Sequence, residues 1–251
     1  MLKRVIDGRW ITANAVLGLY PAHAVNDDDI ELYTDESRNE VAMTWHGLRQ
    51  QTEKQEIDGV MRPSRCLTDF VAPKGAVPDY VGLFAVTTGI GVEKREQLFL
   101  DTHDDYSAIM FKAIADRLAE AFAECLHFKV RTDWWGYERQ ENPETFDLDA
   151  LISERYRGIR PAPGYPACPD HSAKKNMFAL LQCEEIGMTL PCSPALSSPP
   201  TSLMPWPKLL ASNCAKATTA NMAPATALTT AASCPPTCMA LATTTTRKTA
   251  T

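Results

Sequence analysis

The chain has 251 residues with a net charge of −6, and 45% of them are apolar and 22% charged. That length allows one large domain or two small ones with a real core, and the composition is that of a soluble globular fold. The charge argues against a nucleic-acid binder living on phosphate contacts, no apolar run approaches the roughly 18 to 20 residues of a membrane span, and MLKRVIDGRW lacks the apolar segment of a secretory signal.

Residues 1–15 show no usable periodicity. Val16–Val25 is apolar with a proline inside it, which predicts a short strand running into a loop. After the acidic turn Asp27–Asp29, Ile30, Leu32 and Tyr33 read as a strand alternating with Glu31. Val81–Thr87 is the clearest strand, bounded by Pro78-Asp79 and Gly89. The stretch Thr87-Thr88-Gly89-Ile90-Gly91 lacks the third glycine and the Lys-Ser/Thr of a phosphate loop and reads as a turn.

The strongest helix is predicted from about Asp104 to about Val130. Its apolar positions are Tyr106, Ile109, Met110, Ala113, Ile114, Leu118, Ala121, Phe122, Cys125 and Leu126, spaced by three and four. Asp104 and Asp105 suit its N-terminal end, and the His and Asp residues of HDDY do not share a helical face as metal ligands would. A second helix fits Leu148–Arg157, capped by Asp147 and stopped by Gly158. A third fits Ala173–Ile186, with Ser172 as cap and Gly187 beyond its end.

Between the last two helices lies RGIRPAPGYPACPDH, Arg157 to His171. Four prolines fix φ and push their preceding residues towards extended geometry, with Gly164 the one permissive hinge. This predicts a stiff, extended loop carrying Arg160, Tyr165, Cys168 and His171. Such a loop is either a polyproline connector or a grip for a small zwitterion, since little ordering entropy is left to lose on binding. Cys168 and His171 have C-x-x-H spacing, but two ligands make no zinc site. His171 reads as part of the cap before the third helix.

From about Pro191 the character changes. All 31 acidic residues precede that point, and the rest of the chain contains no Gly, Phe or Tyr, only Thr, Ala, Pro, Ser and Cys with few other residues. Such a segment cannot bury enough apolar surface to offset its ordering entropy and is expected to be disordered. It is either a low-complexity tail or a shifted reading frame, and the second fits the abrupt loss of acids and glycines better. The four cysteines before it (Cys66, Cys125, Cys168, Cys183) form no C-x-x-C pair, which predicts reduced thiols in a cytoplasmic protein.

Arg160 to Tyr165 fits R-x-x-x-G-Y, and on that motif the chain resembles the S-adenosylmethionine-binding reactivation domain of cobalamin-dependent methionine synthase. LRQQTEK (48–54), DFVAPK (69–74), HDDY (103–106), ADRLAEAFAE (115–124) and WWGY (134–137) extend the resemblance from about Val16 to about Leu190. It implies an α+β fold, with helices packed on a largely antiparallel sheet and the proline loop crossing a ligand cleft. Residues 1–190 would form the domain, as an N-terminally truncated fragment, with 191–251 as the tail. The implied chemistry is reductive reactivation, in which cob(II)alamin takes an electron from flavodoxin or a similar reductase and is then methylated by S-adenosylmethionine. The corrin would be held mainly by a cobalamin-binding domain elsewhere in the full-length enzyme.

The protein's share of that chemistry is positioning and electrostatics. The resemblance gives Arg160 the ligand carboxylate, Gly164 a close backbone approach, Tyr165 a place between ligand and corrin, and Glu120 the ligand ammonium. By helical phase Glu120 shares a column with Asp116 and Glu124 at the border of the apolar face, so a solvated acidic stripe is equally open. The family's N-terminal aspartate has no counterpart in MLKRVIDGRWITANA, and its later aromatic contact would fall in the altered tail. The alternative function is a non-catalytic docking module that covers a corrin domain or recruits flavodoxin.

Overall fold

The computed structural model describes residues 1–54, 56–57, 59–138, 148–153, 155–166, 168–190 and 201–207. Its order is α1 (Leu2–Asp7), β1 (Thr12–Val25), β2 (Asp29–Tyr33), β3 (Val41–His46), β4 (Glu56–Ile57), β5 (Val60–Met61), β6 (Asp79–Ile90), α2 (Val92–Leu100), α3 (Asp105–Lys129), α4 (Leu148–Ile152), α5 (Ala173–Leu180) and β7 (Thr201–Pro207). β4 and β5 pair only with each other, and the other strands form one sheet in the order β3-β2-β1-β6-β7. Every pairing in that sheet is antiparallel.

Two long strands, β1 and β6, run side by side from Thr12↔Ile90 to Ala22↔Asp79. Because successive side chains of a strand leave by opposite faces, each feeds two cores. Ala15, Leu17, Phe84 and Val86 point to α3, where Ala123, Leu126 and Val130 meet them. Val16, Tyr20, Ala22, Val81, Leu83 and Ala85 point the other way, to Met177, Phe178, Leu181, Cys183 and Ile186 in and just after α5. The sheet is therefore covered on both faces, and the near-continuous burial of β1 and β6 follows. The architecture is the expected α+β one.

Several boundaries differ from the sequence expectation. β1 starts at Thr12 and continues through Pro21, which lies just before the first rung to β2 at Ala22↔Leu32. α1 and α2 were not foreseen. Each buries a single residue, Val5 and Val92, and so carries no periodic signal. α3 runs as expected, and the Asp104 side chain accepts from the Ser107 N–H at 3.0 Å as its N-cap.

The buried stripe of α3, however, is Ala108, Phe111, Ala115, Ala119, Ala123 and Leu126, whereas Tyr106 is 73% and Ile109 70% exposed. Alanines let the helix lie close on its neighbours, and Phe111 fills the stripe while Tyr106 and Ile109 stay outside. The second predicted helix is only α4. Beyond Ile152 the Arg155 N–H closes back on the Ala150 carbonyl at 2.9 Å, and its foreseen cap Asp147 lies outside the described residues. The third ends at Leu180. Gln182 then turns left-handed (φ +51°) and restarts the chain as a 3-10 turn, Cys183–Ile186, returning Cys183 and Ile186 to the core. Ser172 accepts no cap bond, since its backbone is already helical (φ −64°, ψ −29°), and its hydroxyl donates to Asp170 Oδ2 at 2.5 Å.

Within the segment expected to be disordered, Thr201–Pro207 forms β7 along β6, from Val81↔Pro207 to Thr87↔Thr201. An edge place tolerates its prolines. Cys66, Cys168 and Cys183 are free and buried, but Cys125 is disulfide-bonded, which corrects the expectation of four reduced thiols.

Candidate ligand site

The end of α3 is the platform. After Lys129 the helix widens into one π-helical turn, Val130–Trp134, and the chain turns away through Trp135–Glu138. Arg131, fully buried, meets Glu138 Oε2, and its guanidinium stacks over the Tyr156 ring at 4.0 Å. The other oxygen of Glu138 accepts the Arg157 N–H at 3.0 Å. His127, also buried, lies edge-on to Tyr156 with ring centroids 5.0 Å apart. Burial, and then the guanidiniums of Arg131 and Arg160, push its pKa down to about 2, so the ring is neutral. Trp135 packs edge-on to Tyr137 at 5.4 Å. Burial raises the Tyr137 phenol above its ordinary range, so it stays protonated. Together these residues carry the incoming segment 157–160 against α3.

The proline loop is not an extended ribbon. Gly164 has φ +104° and reverses the chain. Its N–H bonds the Cys168 carbonyl at 2.7 Å, Tyr165 N–H bonds Ala162 at 3.1 Å, and Cys168 N–H bonds Tyr165 at 2.8 Å. A Cβ on Gly164 would stand 2.2 Å from the His171 ring. Glycine is thus required by its backbone angle and by the imidazole lying on it, and the expected close approach to a ligand is not what the geometry itself demands. His171 packs under the loop and belongs to the turn before α5. Cys168 is buried beneath it, and that burial pushes its thiol up to about 12, an inert protonated group.

The four expected site residues divide. Arg160 lies against α3 with its side chain 16% exposed and its guanidinium on Glu124 Oε2. Tyr165, 65% exposed, offers a free aromatic surface on the loop's outer side rather than packing in a core. Gly164 joins the two. Glu120 is not brought to Arg160. Its side chain is 67% exposed and pairs with Arg117 at 2.6 Å, one turn before Glu124 in the same column.

Sequence reading missed Glu124, Arg131, Glu138 and Tyr156 as parts of the site. Glu124 was visible through that shared column. The Arg131–Glu138–Tyr156 contacts cross the chain between distant segments and leave no local signal. Two other motifs turn out to be braces. Arg49 of LRQQTEK holds Asp69 of DFVAPK at 2.9 and 3.0 Å and caps the Asp27 carbonyl at 2.5 Å. Ala72 and Lys74 extend the end of β1 through hydrogen bonds to Ala24.

Fold and loop define an α+β domain that presents a guanidinium and a phenol at the end of its longest helix. Residues 1–206 match the family described as vitamin B12 dependent methionine synthase, activation domain, and the chain belongs to that family. Among solved structures it is similar to the MetH reactivation domain bound to AdoHcy, with a TM-score of 0.74 and 44% identity over 83% of this chain. The chain spans 62% of that domain's length. The family match reaches past the motifs at both ends, taking in α1 and most of β7.

Proposed function

We propose that this domain binds S-adenosylmethionine so that its methyl group can be passed to cobalamin during reactivation of methionine synthase. The observation that carries this is the R-x-x-x-G-Y loop, curled so that Arg160 is seated on α3 while Tyr165 stays open beside it. A planar guanidinium suits the ligand's carboxylate, and an exposed phenol ring suits a flat or sulfonium-bearing ligand. Glu120, once released from Arg117, is the proposed partner for the ligand's ammonium at the outer lip of the site. The solved relative's AdoHcy, the demethylated form of the same ligand, supports this reading.

The chain's own task is to bind and orient the methyl donor. Cobalamin, presented by a separate domain of the same enzyme, supplies the nucleophile. In this reading residues 1–190 form the ligand-binding unit, with β7 the piece of the following segment that the sheet uses. A flavodoxin-type electron donor and a cytoplasmic setting complete the proposal. No described helix is long and apolar enough to cross a membrane.

The test is calorimetry of the full chain with S-adenosylmethionine and S-adenosylhomocysteine. Binding is expected, and Arg160→Ala should weaken it by about 2 to 3 kcal/mol, roughly 30- to 150-fold, as for loss of a charge-assisted contact. A folded wild-type chain that gives no heat with either ligand overturns the proposal. Retained binding to a corrin domain or flavodoxin in that chain would leave a docking module.

A further inference from the structure

We propose that His23 and Arg38 form an acid-opened latch that holds the loop between β2 and β3 down on the sheet. That loop, residues 34–40, is closed at its base by the Thr34 N–H on the Glu40 carbonyl at 3.0 Å. Arg38, itself left-handed at φ +54°, sends its guanidinium from the loop across β1 to β6. Nη1 donates to the Ala22 carbonyl and Nη2 to the Asp79 carbonyl, both at 3.1 Å, and Nη1 also meets His23 Nε2 at 3.2 Å. Ala22 and Asp79 face each other across β1 and β6, so one side chain ties the loop to both strands.

A guanidinium can only donate. The lone pair of His23 must therefore lie on Nε2, with the ring proton on Nδ1, and the contact exists only while the ring is neutral. A second proton sets N–H against N–H and two cations side by side. Turning the ring gives no escape, because an imidazolium carries a proton on both nitrogens. His23 is 9% exposed, and Tyr33 stands edge-on to it at 5.8 Å, so little water is at hand to screen the pair.

The charged groups facing the ring are Arg38 from the loop, Lys74 from the segment before β6, Glu31 from β2 and Asp79 from β6. The two carboxylates favour a second proton, but Glu31 is already bonded by Tyr33 and Lys74, and Asp79 by the Ala72 and Tyr80 N–H groups. Burial first, then Arg38 and Lys74, hold the His23 pKa below its ordinary value of 6.5. The ring therefore takes its proton more readily once the latch is open. Acid favours the open form, and the hold is complete only above about pH 6.5.

Opening is felt beyond the loop. The Arg38 guanidinium lies over the Tyr80 ring at 5.3 Å, and the Tyr80 hydroxyl donates to Glu36 Oε2 at 2.9 Å. Tyr80 in turn packs edge-on to Trp135, with 6.4 Å between centroids. The latch thus joins the β2–β3 loop to the aromatic wall at the end of α3.

The experiment is hydrogen exchange of the full chain at pH 7.5 and pH 5, corrected for the intrinsic effect of pH on amides, in wild type and His23→Gln. Glutamine offers Arg38 an acceptor oxygen and stays neutral at both values. Residues 34–40 of wild type are expected to exchange about 10-fold faster at the lower pH, while the centre of β6 stays protected. His23→Gln should show no such acceleration. Nitrogen NMR of the imidazoles should find the His23 proton on Nδ1 at pH 7.5 and its titration midpoint below 6.5. A proton on Nε2, loop exchange indifferent to pH, or the same acceleration in His23→Gln, as titration of Glu31 or Glu36 would produce, each overturns the latch. Equal acceleration in the loop and the centre of β6 overturns it too, since it reports unfolding of the whole sheet. If His23→Gln does not fold, the wild-type titration carries the test. Loop exchange must then follow the His23 midpoint, and a midpoint in the carboxylate range counts against the proposal.

Discussion

Two arginines lie against the last turns of α3, and they are built differently. Arg131 is buried, with a carboxylate on its Nη1, a tyrosine ring over its face and a phenylalanine ring nearby. Arg160 meets the Glu124 carboxylate and belongs to a loop whose next large side chain, Tyr165, stands in solvent. The difference teaches which cation is framework and which is available. A guanidinium buried under a tyrosine ring serves the fold, whereas one partly exposed on a loop can be both oriented and useful.

The comparison can be broken most forcefully at the framework end. Arg131→Ala leaves Glu138 without its cation and Tyr156 without its lid, and should cost about 3 to 5 kcal/mol of stability, read by urea denaturation. Arg160→Ala should cost far less stability and act mainly on ligand affinity. Equal destabilisation by the two would erase the distinction. At the loop itself, Gly164→Ala forces a side chain into a left-handed angle and onto His171. A loss of about 2 kcal/mol in stability is expected, together with weaker ligand binding in the same titration.

His127 sharpens the comparison by pH. Its pKa is near 6.5 unfolded and about 2 folded, so its contribution is complete above pH 6.5 and drains as the pH falls towards 2. Between pH 7.5 and 5.5 this amounts to roughly 1.4 kcal/mol. Denaturation curves of wild type should show that loss, and those of His127→Gln should lack it. The smallest effect belongs to Glu120→Gln, an exposed pair with Arg117, whose stability should stay within about 0.5 kcal/mol of wild type. Ligand calorimetry on that variant then decides whether its carboxylate reaches the ammonium.

The sequence was most legible where one local rule acted alone. Asp104 and the long helix behind it were read correctly because capping and periodicity agree there, and Val81–Thr87 because an apolar run ended in turn residues. Which face of α3 is buried was not legible, because close packing selects alanine and leaves Tyr106 and Ile109 outside. Arg160 and Tyr165 could be named from a six-residue motif. The curl of their loop could not, since it depends on Gly164 taking a positive φ under a histidine seven residues on. Glu120 is named from the resemblance, as the partner of the ligand's ammonium. It shares a column with Glu124, and only the crossing of the loop over α3 shows that Arg160 meets Glu124.

The π-helical turn at Val130–Trp134 has a consequence for any alteration of chain length there. A five-residue turn of this kind advances and rotates about as far as four residues of ordinary α-helix, so one residue can be removed there with local rewinding. Trp135, Tyr137 and Glu138 would then keep their stations. Deleting one residue from this turn should therefore be borne far better than a deletion in the middle of α3, which would swing one half of the helix by about 100° against the other and disconnect the aromatic wall.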